Sequence, residues 1–175
     1  MCEAIKELAI SVVGTVIGGL LLAFIFIVFS HFSFFKLPAL SGLWRFQSET
    51  CETSYNTYKG MKLTFLVLMW QEGNAIHGSG EKVQEDLKGA IKTFTGEDRS
   101  RIEIRGYVTK RYFTKSEVVL HFNEQGEKRP SSTMHALRVC DNETMEGTYA
   151  STAADSSGKV RWTRGSDGLV FEGFV

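Results

Sequence analysis

The chain is poor in the features that mark several large protein classes. It has two Pro and three Cys in 175 residues. Three cysteines are too few for a disulfide scaffold. Basic and acidic residues number 20 each, so the formal net charge is zero. A binder of duplex nucleic acid needs a large positive excess, so that class is set aside. The 43% apolar content excludes a disordered chain. No HxxxH or CxxC spacing joins His31, His77, His121, His135 and the cysteines, so no metal site is expected. There is no P-loop and no GxGxxG. Gly78-Ser79-Gly80 lacks the helix that must follow a nucleophile elbow, and it reads as a bend in a strand. The sequence offers no catalytic constellation and no resident cofactor, and a non-enzyme is expected.

The most informative absence is local. From Leu8 to Phe35 there is no Asp, Glu, Lys or Arg. Only Lys6 among the basic residues, and only Glu3 and Glu7 among the acidic ones, precede this run. The chain therefore divides into residues 1–36, an apolar segment, and residues 41–175, a polar domain large enough for its own core.

Residues 8–29 would span roughly 33 Å as a helix, enough to cross a hydrocarbon core of about 30 Å. A cleaved signal peptide would have a shorter apolar core and a small-x-small site after it. This run ends instead in Phe29-Ser30-His31-Phe32-Ser33-Phe34-Phe35. A retained single-pass anchor in a lipid bilayer is the expectation, because two spans and a turn need about 40 residues. Ser11, Thr15, Gly19 and Ala23 recur every four residues, and Gly14 and Gly18 form a GxxxG beside them. Small residues let helices approach closely in lipid, so self-association into a homo-oligomer is expected. Lys6 and the α-amino group on one side nearly balance Lys36 and Arg45 on the other, so charge does not set the orientation.

After Pro38 the pattern alternates. Strands are expected at 41–47, 62–71, 76–83, 101–109, 117–123, 133–139, 144–151, 159–164 and 169–172. Lys62–Gln71 is apolar on both faces and reads as a covered, central strand. Residues 84–92 read as a short helix or a loop. Eight or nine strands on short turns would leave long open edges in a flat sheet, and closure removes them. The predicted fold is mainly β: an N-terminal transmembrane helix, then an eight- to nine-stranded antiparallel up-and-down barrel, lipocalin-like in outline. Gly42-x-Trp44 resembles the motif that opens lipocalin barrels, with Trp44 as a plug at one end.

A barrel of this size holds side chains or one small ligand. Tyr55, Tyr58, Tyr107, Tyr112, Tyr149 and Trp162 supply flat faces, and Arg105, Arg111, Arg138, Arg161 and Arg164 supply forked donors. Rings stack on bases and guanidinium groups grip phosphates. The candidate ligand-binding set is Tyr55, Tyr58, Arg105, Tyr107, Arg138, Arg161, Trp162 and Arg164. The alternative is a solvated barrel exterior, with the protein a lipid carrier or an envelope assembly subunit.

An N-terminal anchor leads into a minimal barrel carrying Tyr55-Asn56-Thr57-Tyr58-Lys59-Gly60-Met61, a long strand ending in Gln71, and Gly73…Ile76-His77-Gly78-Ser79-Gly80-Glu81-Lys82. This layout is similar to the membrane-anchored β-barrel effectors of CBASS, the bacterial antiphage systems built around a cyclic-nucleotide-making synthase. The resemblance implies a cytoplasmic barrel at the inner membrane that senses a cyclic dinucleotide made after infection. It further implies that binding assembles the membrane segments, disrupts the membrane and kills the infected cell. Such effectors usually carry two membrane helices, whereas this sequence has one.

Overall fold

The computed structural model describes residues 2–31, 37–111, 114–125 and 130–165. The chain separates into two compact units, residues 1–36 and 37–175.

The first unit is one helix, α1 (Cys2–His31). Its window Ser11–Val28 is apolar and long enough to cross a membrane, a description that an anchor and a signal sequence both meet. Val12, Leu20, Phe24 and Phe26 stand exposed on it. Its one described hydroxyl bond is internal, Thr15 Oγ1 donating to the Ser11 carbonyl at 2.9 Å. That satisfies the hydroxyl within the helix.

The second unit is a closed barrel. Its strands are β1 (Gly42–Glu52), β2 (Lys62–Glu72), β3 (Ala75–Leu87), β4 (Ala90–Thr93), β5 (Arg101–Thr109), β6 (Glu117–Gln125), β7 (Pro130–Val139), β8 (Thr144–Ser151) and β9 (Ser156–Arg164). They run in the order β2-β1-β9-β8-β7-β6-β5-β3-β4, and a β2–β3 pairing closes eight of them into a ring. Every pairing is antiparallel. Among the described residues, the extra strand β4 pairs only with the far end of β3.

Three expectations change here. Residues 84–92 are neither helix nor loop: they finish β3, turn, and return as β4. The turn is Lys88-Gly89, both at positive φ, with the Asp86 carboxylate accepting the Gly89 N–H at 2.8 Å. Two consecutive positive φ values suit the right-handed twist of a tight hairpin. β2 is not covered on both faces. Phe65, Val67 and Met69 enter the core, but Leu68 is 55% and Trp70 46% exposed on the outside. A closed barrel has one interior, so the second apolar face of a strand must point out. Third, β1, β3, β6, β7 and β9 each run longer than expected. The strand expected at 169–172 lies outside the described residues.

The strands coil tightly because small residues sit where backbones cross. A Cβ at Gly158 would run into the Glu49 carbonyl of β1, and one at Gly147 into the Ala136 carbonyl of β7. Gly78 and Gly80 play the same part against β2, and Ser79 between them pairs in register with Leu68 and Glu103 as ordinary strand.

Candidate functional site: a two-sided cavity

The barrel ends differ. At one end Trp44 is fully buried and its indole N–H donates to the Leu40 carbonyl at 2.8 Å. Arg164 lies over the Trp44 ring at 4.7 Å. All three of its nitrogens donate to backbone carbonyls: Nε to Asn142 at 3.0 Å, Nη1 to Ser41 at 2.9 Å and Nη2 to Ala39 at 2.6 Å. Leu37 and Leu40 join the core there, with Met69, Ile76, Val108, Val118, Leu137 and Met145 filling the layers above. This end is shut.

Toward the other end the interior opens into a cavity of about 260 Å³. The inward residues explain why. In β1 they read Trp44, Phe46, Ser48, Thr50. In β7 they read Leu137, His135, Thr133, Ser131. In β8 they are Met145, Gly147, Tyr149, Ser151, and in β9 Trp162, Val160, Gly158, Ser156. Each series passes from apolar or bulky at the shut end to a hydroxyl at the open end. β1, β9, β8 and β7 are consecutive in the ring, so these hydroxyls form one continuous wall. The opposite wall is apolar: Met61, Leu63 and Phe65 from β2 and the chain before it, Ile102 from β5, and Phe122 from β6.

Buried polar groups need partners, and the polar wall supplies them in short chains. The Thr50 and Tyr149 hydroxyls are 2.7 Å apart. Thr133 Oγ1 donates to Ser151 Oγ at 2.8 Å, and the Ala153 N–H donates to the same oxygen at 3.2 Å. At the base of the cavity the Trp162 indole N–H donates to Nδ1 of His135 at 3.3 Å. Phe122 and Phe46 flank the imidazole, with ring centroids at 4.3 and 5.1 Å. His135 is 2% exposed. Loss of solvent pushes its pKa down to about 3, so the ring is neutral at physiological pH. Burial raises the Tyr149 hydroxyl, partly offset by its bonds to Thr50 and Ser156. Glu124 is the only charged residue among the described wall residues, and none of them is Arg or Lys.

The eight residues singled out in the sequence fall in four places. Tyr58 lines the cavity and is 41% exposed, so it stands at the mouth. Tyr55 packs edge-on beside it at 6.4 Å. Trp162 is wholly buried beneath the cavity, and Arg164 belongs to the shut end. Arg105, Tyr107, Arg138 and Arg161 lie exposed on the outer face. Arg105 pairs with Glu103 at 2.7 Å, and Arg161 with Glu146 at 3.4 Å. The alternation that made these arginines conspicuous is the outward phase of their strands, and the cavity takes the inward phase. Arg111, also on the surface, pairs with Glu117 at 2.9 Å; Tyr112 is outside the described residues. Tyr149, counted among the flat faces, does line the cavity. Sequence reading passed over Ser48, Thr50, Thr133, His135, Ser151 and Ser156. The signal was present: hydroxyls in the same phase as the core residues of four strands.

In α1, Ser11, Gly14, Thr15, Gly18, Gly19 and Ala23 are all exposed. A Cβ at Gly14, Gly18 or Gly19 would meet nothing within 4 Å. Cys51 and Cys140 are unpaired thiols. Among the described residues no three His, Cys, Asp or Glu side chains stand together as metal ligands.

No protein-family model matches the chain, and no curated protein does. Among solved structures, a de novo designed fluorescence-activating β-barrel shares 14% identity over 72% of this chain and 94% of its own, with a TM-score of 0.47. A redesigned β-barrel shares 10% identity over 73% of this chain and 92% of its own, also at 0.47. The strand order and pairing by themselves show an N-terminal apolar helix followed by an eight-stranded antiparallel barrel with one extra strand.

Proposed function

We propose that this protein is a membrane-anchored receptor and effector of a bacterial antiphage system of the CBASS type. A cyclic dinucleotide engages the open end of the barrel, and α1 carries the response by associating with its copies in the inner membrane. The observation that supports this reading is the polarity of the barrel. One end is plugged, the other opens into a two-sided cavity, and the same chain carries a helix that is free of charge from Leu8 onward and bears a row of small residues. A cavity of 260 Å³ is below the usual range of about 300–1,000 Å³ for drug-sized ligands. One base therefore enters, and the sugar–phosphate ring stays at the mouth beside the loop carrying Tyr55, Tyr58 and Lys59. Binding drives assembly only if the assembled form binds the ligand more tightly than the dispersed form. Confinement to one membrane raises the effective concentration, so a modest bias is enough.

The test is a thermal-melting panel of cyclic dinucleotides on the full chain in lipid nanodiscs. A ligand at a hundred times its Kd adds about 2.7 kcal/mol of stability, a rise of several degrees for a domain of this size. No shift across the panel removes the reading.

A second reading has its own support. The described cavity wall contains no cation and one face of it is apolar, which suits a carrier of an uncharged amphipathic molecule. Native mass spectrometry of the purified chain distinguishes the two, because a carrier retains a co-purified lipid or similar compound.

A further inference from the structure

We infer that His135 and Ser151 form a hydrogen-bond-donating reader at the polar wall, and that the group entering the cavity is an uncharged planar heterocycle presenting acceptors. This rests on the reading of the cavity as the ligand site and specifies what it selects.

His135 Nδ1 accepts from Trp162, so the neutral ring carries its proton on Nε2. No described residue accepts that proton, yet no buried side-chain nitrogen or oxygen in the described structure lacks a partner. Nε2 is therefore not sealed in the core, and His135 forms part of the cavity wall. Ser151 Oγ already accepts two hydrogen bonds, from Thr133 and from the Ala153 N–H, which leaves its own proton to donate. Ser151 pairs in register with Thr133, two residues along β7 from His135. The two donors thus stand about 7 Å apart along the strand direction. The partner must bring acceptors at both levels.

Shape and charge narrow the class. Phe46, Phe65 and Phe122 line the cavity, and Phe46 and Phe122 lie beside the imidazole, so the space next to the donors is walled by aromatic carbon. A flat ring system suits such a wall, because its polar edge can reach the donors while the rest of it meets apolar carbon. A charged group entering here would lose its hydration with no cation to offset the loss.

The probes are adenosine, guanosine, cytidine and uridine, uncharged heterocycles with ring-nitrogen and carbonyl acceptors. Toluene serves as a flat control without acceptors. Binding to the full chain in nanodiscs is followed by calorimetry and by the ¹⁵N–¹H signals of His135 Nε2 and the Trp162 indole. At least one nucleoside is expected to bind and to move both signals. Its affinity falls about tenfold in His135→Phe and several-fold in Ser151→Ala, and is partly restored in His135→Gln, whose amide returns a donor. Toluene affinity stays unchanged in Ser151→Ala. If His135→Phe does not fold, Ser151→Ala and the wild-type signals decide. Absence of nucleoside binding, or equal affinity in folded variants, overturns the inference. A cyclic dinucleotide that stabilises wild type and both His135 variants equally leaves the receptor reading standing and removes this one. Nucleoside binding that depends on His135, with no response to any cyclic dinucleotide, does the reverse.

Discussion

Acid should destabilise the barrel through His135, and the size of the effect follows from its burial. The folded ring has its pKa lowered to about 3 by desolvation, against about 6.5 in the unfolded chain. Above pH 6.5 neither state binds the proton, and the histidine contributes no pH dependence. Below it the unfolded state takes up a proton that the folded state refuses, so stability falls by about 1.4 kcal/mol per pH unit until the folded pKa is reached. At pH 4.5 the loss is about 2.7 kcal/mol, and near pH 3 it reaches about 4 kcal/mol. The rings around the imidazole are Trp162, Phe46, Phe122 and Tyr149, and the one described acid of the cavity wall, Glu124, pairs with Ser131, four residues along β7 from His135. The assay is urea denaturation of the full chain in nanodiscs, followed by tryptophan emission, at half-unit steps from pH 7.5 to 4.5. His135→Gln is the reference, because carboxylates titrate alike in both proteins and drop out of the difference. The wild type should lose about one proton's worth more stability per pH unit than the variant below pH 6. Parallel curves would refute the claim that the ring is buried and neutral.

Three other perturbations test separate parts of the structure. Arg164→Ala strips three carbonyls at the shut end of their donor and uncovers Trp44. A loss of about 2 kcal/mol or more in denaturant midpoints is expected, and a loss below about 0.5 kcal/mol would show that the closure is ornamental to stability. Gly158→Ala places a methyl group against the Glu49 carbonyl. A loss of about 3 kcal/mol or a failure to fold is expected by circular dichroism, and wild-type stability would mean that β1 and β9 do not approach as described. Gly18→Leu adds bulk to the small-residue row of α1. Disulfide-free crosslinking in membranes should drop while ligand-induced melting shifts persist; loss of both, or of neither, would break the assignment of association to the helix and recognition to the barrel.

Much of the architecture was written in the order of residues. An uncharged run from Leu8 to Phe35 permits little but an apolar helix, because length and absence of charge need no partner to be read. Alternation fixed most strands, and short turns made ring closure the economical arrangement. Local pattern was weakest where two phases compete. β2 is apolar in both, and only closure of the barrel decided that Leu68 and Trp70 face outward. Residues 84–92 are polar enough for helix or loop, and pairing with β3 made them a hairpin. The cavity was the hardest feature to foresee. Arginines and tyrosines draw attention in a sequence because of their chemistry, yet the barrel puts Arg105, Arg138 and Arg161 outside. The modest Ser48, Thr50, Thr133 and Ser151 face in. Which phase of a strand is interior depends on neighbours dozens of residues away. A chain's own periodicity says that two faces exist, and only the closed ring says which of them is enclosed.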